Sequence, residues 1–292
     1  YVCNSRRWAS LRDAEIECLQ STLNGENQDD AQAQLETRKQ QLMDDFAFIA
    51  ECNEGGEFMS PERIERLSQV GAQIWMRHFD DRIGLSGADM QRLEGIPAAP
   101  LPAVESLLAD KPEHIIPRPL DSVPPSSHGF KMKVPENLYN FGEIYNLRLG
   151  RGTLTEEERY NINEHIIQTI LMLEQMPFPK HLKRVPEYAG THHETLIGTG
   201  YPKKLSQDEL SVPSRIMAIA DIFEALTASD RPYKKAKTLS ECVKVLAHFK
   251  KDQHIDPELF DLFLSTGTYK RYAEKYLRPE QIDEVDINQY IS

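Results

Sequence analysis

The chain has 292 residues, 40% of them hydrophobic, and a formal charge of −12. That acidity argues against a general nucleic-acid binder, and the lack of any run of about eighteen apolar residues argues against a membrane span. The opening residues, YVCNSRRW, lack the apolar stretch of a signal peptide and an initiator methionine. They suggest a piece of a longer cytoplasmic protein, or the cytoplasmic part of a larger sensor. The cysteines at 3, 18, 52 and 242 form no CxxC pair and read as reduced thiols.

In chain order, residues 1–82 form a helical N-terminal segment, an insertion or connector. The stretches Asp13 to Leu23 and Asp29 to Cys52 are rich in good helix formers, and Gly25 and Gly55–Gly56 punctuate them. Ser60, Pro61 and Glu62 predict an N-cap with proline at the first helical position. The helix they open carries Ile64, Leu67, Val70 and Ile74 on one stripe. Residues 83–135 hold nine prolines and predict an extended linker or insertion, with His114 and His128 given no role.

The third region, 136–292, returns to helix. Thr155 and Glu158 make a capping-box pattern opening a helix to about Gln175. His165 shares its apolar side with Ile162, Ile166, Ile170 and Leu173, as a core histidine or a ligand. Pro186 to Glu194 reads as a helix delivering His192 and His193. Neighbouring helix positions diverge by about 100°, so two consecutive imidazoles suit two adjacent ions better than one.

The glycine-punctuated turn GTGYP follows, ending in Tyr201–Pro202. Pro213 opens a helix that is apolar nearly all round, and such a helix is buried. A carboxylate inside it, Asp221, would cost several kcal/mol without a partner. An ion held by the histidines is one candidate partner, and a salt bridge to Arg215 or Arg231 is another. Helices near Leu239–Lys250 and Pro257–Leu264 complete an all-α reading. Residues 176–240 carry ten Lys and Arg against seven Asp and Glu, a basic segment in an acidic chain suited to an anionic ligand.

The order EEER…H, HHE…GTGYP and IMAIADIFEALTA…DRPYK resembles the HD-GYP class of metal-dependent phosphohydrolases, over roughly residues 152–264. The resemblance implies a helical bundle of the HD-domain type that hydrolyses cyclic di-GMP with two or three divalent ions, iron or manganese. By motif position, His165, His192, His193 and Asp221 correspond to metal ligands. Arg231 and Lys234 match positions used on substrate phosphates, and Tyr201 is the tyrosine of the name motif. It implies metal-activated water as the nucleophile, with no catalytic side chain beyond it.

Two residues depart from the family pattern. No His–Asp dipeptide occurs in the chain, and Ile197 stands where the family motif usually has aspartate. Either the dipeptide is lost, leaving a non-catalytic module that binds nucleotide or a partner protein through Gly200, Tyr201 and Pro202, or it precedes Tyr1. In the second case the segment from Arg6 to Pro135 is an insertion between two halves of the site. His78 with Asp80 and Asp81 is a replacement ligand set to be weighed against a plain charged helix end.

Overall fold

The computed structural model describes residues 2–54, 58–150, 152–228 and 236–291. Gly55 and Gly56, Arg231 and Lys234 lie outside them. The chain divides into two compact units, residues 1–119 with 135–159, and residues 120–134 with 160–292.

The first unit begins with a helical hairpin, α1 (Val2–Leu23) and α2 (Gln28–Glu54), turned at Gly25 with φ of +97°. Helix α3 (Pro61–Gly71) starts as its sequence predicts, with the Ser60 hydroxyl accepting from the Arg63 amide. The expected stripe stops at Val70. Ile74 lies instead in strand β1 (Ile74–Arg77), 70% exposed, while Trp75 beside it is 5% exposed and in the core. Gly71 approaches Leu108 and Ile144 where a side chain would crowd them, and the helix ends there. The alternating burial of Ile-Trp-Met-Arg then suits a strand.

Its partner comes from the Pro-rich region, after the short helix α4 (Gly87–Arg92). Strand β2 (Ala103–Ser106) pairs antiparallel with β1, Trp75 opposite Glu105. A second small antiparallel pair joins β3 (Ile115–Pro117) to β4 (Asn137–Asn140). Helix α5 (Glu143–Leu147) follows. Phe46, Phe48, Ile49, Leu67, Val70, Trp75 and Leu107 form this unit's core. Asp81 forms an ion pair with Arg77, and the RHFDDRIG stretch lies at the end of β1 and in the turn after it, not at a helix end.

The Thr155–Glu158 capping box is present in both directions, at 2.9 and 3.1 Å, and opens α6 (Glu156–Asn163). The single helix expected to run to Gln175 is broken at Glu164, and α7 (His165–Glu174) begins afresh. The Ile162 carbonyl near this break is taken by the His165 ring.

The second unit continues with α8 (Val185–Gly190), α9 (Val212–Thr227), α10 (Leu239–Lys251), α11 (Pro257–Ser265) and α12 (Thr268–Tyr276). Helix α12 was not anticipated from the sequence. The core gathers Ile219 and Phe223 of α9 with Val243 and Leu246 of α10, Phe260 and Leu264 of α11, and Ala273 of α12. Only one face of α9 is buried, through Ala218, Ile219, Phe223 and Thr227. Ile216 and Met217 are exposed, so the expectation of a helix buried all round does not hold. Cys52 and Cys242 are buried free thiols and Cys18 is a half-buried one. The architecture is all-α with short strand pairs, and among the described residues no helix is long and apolar enough to cross a membrane.

Candidate metal centre

His165 is the first residue of α7, and its Nδ1 lies 2.6 Å from the Ile162 carbonyl oxygen. A carbonyl only accepts, so Nδ1 carries a proton, and in the neutral ring the lone pair is on Nε2. His192 is fixed in the same way, with Nδ1 2.7 Å from the Ala189 oxygen. In metal sites a backbone acceptor on one ring nitrogen commonly orients the other toward the ion.

The histidine pair does not lie on a helix, as its sequence suggested. Helix α8 ends at Gly190, and His192 and His193 occupy the turn beyond it. The 100° divergence of helix neighbours therefore does not apply, and their ring centres are 4.2 Å apart. Gly190 permits the close approach of α8 to α7, because a Cβ there would fall 2.4 Å from Ile170 Cγ1. His193 Nε2 faces His165 Nε2 at 3.2 Å. One nitrogen from each of His165, His192 and His193 lies within 4.8 Å of the other two, the one such group among the described residues.

Asp221, on α9, places Oδ2 4.0 Å from His193 Nδ1. Its side chain is 46% exposed, which corrects the expectation of a buried carboxylate. Asp221 lies off the buried face of α9, so burial alone does not demand a partner for it. The salt bridge considered for Arg215 goes elsewhere, to buried Asp256 at 2.5 Å. Arg231, the other candidate partner, and Lys234 fall outside the described residues.

Burial, with the neighbouring His192 acting next, pushes the His193 imidazole down to about 4, against the opposing field of Asp221. The ring is thus neutral at pH 7, the form a ligand needs. Three imidazole nitrogens suit a first-row transition metal, and two of those rings have Nδ1 engaged by a carbonyl. Asp221, set against the far nitrogen of His193, lies outside that group. The residues fit such an ion.

The unfolded chain takes up the His193 proton near pH 6.5, whereas the fold resists it to about pH 4. Between those values the unfolded state binds more protons, so metal-free protein loses stability as pH falls. After discounting for partial exposure we expect a loss on the order of 2 kcal/mol. Urea midpoints in chelator at pH 7 and pH 4.5, for wild type and His193→Gln, measure it. An equal drop in both proteins contradicts the assignment.

Tyr201 stacks on the His193 ring, centres 4.7 Å apart and planes at 21°, and its amide donates to the His193 carbonyl at 3.2 Å. Burial first, then Asp221, raises the Tyr201 hydroxyl above its ordinary value. Gly200 makes this turn possible, since a Cβ there would meet His193 O at 2.5 Å and Glu194 Cα at 2.4 Å. Gly200 and Pro202 are buried, so they offer little surface to a partner protein. Ile197 bridges to Ser206 through its backbone and is exposed.

Glu194, to which residue type alone assigns no role, is 2% exposed. Its two oxygens accept from the amides of Lys203 at 2.7 Å and Leu205 at 2.9 Å, tying the turn back to the histidine pair. Burial pushes this carboxyl up while those amides pull it down, with a net rise. The available signal was an acid beside a glycine turn, where backbone amides need acceptors.

A family model described as HD domain matches residues 102–259, more than half of the chain. A 3'3'-cGAMP-specific phosphodiesterase of Vibrio cholerae serotype O1 is 39% identical over 113 residues, 39% of this chain and 25% of its own length. A cyclic di-GMP phosphodiesterase of Pseudomonas aeruginosa is 40% identical over 79 residues, 27% of this chain and 18% of its own length. A cyclic di-GMP phosphodiesterase of Thermotoga maritima is 32% identical over 146 residues, 47% and 39% of the two chains. The chain therefore spans well under half the length of these relatives.

Proposed function

The chain belongs to the HD-domain family, and from that premise we propose that it forms part of an HD-GYP phosphodiesterase that opens cyclic dinucleotides. The observation that carries this reading is the convergence of His165, His192 and His193, two of them held with Nε2 free. These three, with Asp221, are the residues that would hold two or three divalent ions, iron or manganese. When bound, such ions polarise phosphoryl oxygens and acidify water at the site.

The chain's own residues do the orienting. The Ile162 and Ala189 carbonyls set the tautomers of His165 and His192, and Tyr201 braces the His193 ring. Arg231 and Lys234, in the DRPYK stretch, would offset charge on the non-bridging phosphate oxygens. Relatives named for 3'3'-cGAMP and for cyclic di-GMP support a cyclic purine dinucleotide as substrate, with cyclic di-GMP as the first choice.

The test is to load the purified full-length protein with Mn²⁺ or Fe²⁺ and offer it both dinucleotides. Linear dinucleotide or GMP should appear, stop with chelator and resume on adding metal. Protein that holds no metal and forms no product overturns the reading. Tight binding of nucleotide without turnover would favour a non-catalytic module instead.

A further inference from the structure

The Pro-rich chain between β3 and β4 contains a stretch, residues 120–134, that packs as part of the second unit. It is fastened at three points. The Lys131 amide donates to the Pro202 carbonyl at 2.8 Å. The Lys203 ammonium lies 5.6 Å from the centre of the half-buried Phe130 ring. His128 stacks on Phe130 at 5.6 Å, and its Nε2 lies 3.2 Å from a Glu174 oxygen on α7.

Two of these fastenings fall on Pro202 and Lys203, the residues that follow Tyr201. Tyr201 in turn covers the His193 ring and donates to the His193 carbonyl. Lys203 also gives its amide to Glu194, next to His193 in the chain. The Lys131 ammonium adds positive charge near that same carboxylate. Pro124 and Pro125 restrict the segment before it reaches the turn, so less freedom is lost on docking.

We infer that Phe130 and Lys131 are positioning residues for the candidate metal centre: they form a strap that holds Pro202 and Lys203 and, through them, Tyr201 against His193. Glu194 holds the turn by the amides of Lys203 and Leu205, while the strap holds it by the Pro202 carbonyl and the Lys203 side chain. The consequence for metal rests on the proposed ligand set. The consequence for the turn does not.

Phe130→Ala removes the ring that both Lys203 and His128 contact, and Phe130→Tyr restores it. Hydrogen exchange without metal should show the Tyr201 and Lys203 amides exchanging about tenfold faster in Phe130→Ala, with α10 and α11 unchanged. Equilibrium dialysis should show Mn²⁺ bound about tenfold more weakly, the usual scale for losing a group that orients a ligand. Phe130→Tyr should recover both values.

Wild-type exchange at Tyr201 and Lys203 in Phe130→Ala overturns the strap. If wild type itself binds no Mn²⁺, the metal reading fails and the exchange result alone decides the strap. Should Phe130→Ala lose protection throughout the unit, Lys203→Met takes its place, because it removes the cation and leaves the ring. Faster exchange confined to the turn in that variant upholds the inference, and unchanged exchange overturns it.

Discussion

His193→Ala is expected to lower bound metal and the proposed phosphodiesterase turnover together, the latter by roughly 10³-fold. Metal ions contribute several kcal/mol of charge stabilisation to phosphoryl transfer, and each ~1.4 kcal/mol is a factor of ten in rate. His193 is the ring that joins the others: it faces His165 at 3.2 Å, packs beside His192 and has Asp221 on its far nitrogen. Removing it leaves the remaining proposed ligands without their common neighbour. Metal per chain by mass spectrometry and turnover of cyclic di-GMP measure the two losses, with His181→Ala as an exposed histidine control. Wild-type metal content and turnover in His193→Ala would refute the ligand assignment.

Gly200→Ala is expected to have an effect as large, by a different route. The added methyl would lie 2.4 Å from Glu194 Cα, 2.5 Å from His193 O and 2.6 Å from Thr195 N. All three are backbone atoms, which cannot rotate away as a side-chain tip can. The turn and the histidine segment must separate, at a cost of about 3 kcal/mol, the upper part of the usual range for overpacking. Separation also breaks the Tyr201 contact with His193, so metal should be lost with stability. Urea denaturation and metal content check both, and a variant with wild-type values in each would show that the turn is looser than its geometry indicates.

Features built from neighbouring residues were legible in the sequence. The Ser60–Pro61 start of α3 and the Thr155–Glu158 box of α6 are local hydrogen-bonding patterns, and both are present. Element limits set by distant partners were not. β1 depends on β2, whose residues lie about thirty positions further on, and its alternation is too short to outweigh the helical stretch before it. α8 ends at Gly190, which packs on Ile170 twenty positions earlier, so the histidine pair lies in a turn, its rings converging where helix neighbours diverge.

Asp221 shows the same limit from the other side. Its apolar neighbours implied burial, but periodicity reports only that a helix has an apolar face. Which residues of α9 are covered depends on α10 and α11. Glu194 was hidden because its partners are the amides of Lys203 and Leu205, and backbone donors leave no mark in residue type.

The donor chemistry of this protein, three imidazoles and a carboxylate beside a glycine turn, belongs to its residue types and could be read without a fold. Their meeting followed only from the family resemblance, not from residue type. His165 and His193 are 28 residues apart, and they converge because a glycine lets α8 settle on α7 and a second glycine lets the turn close over His193. Close packing between distant segments is a property of the folded chain, and it gathers three of the four proposed ligands, His165, His192 and His193, into one cluster.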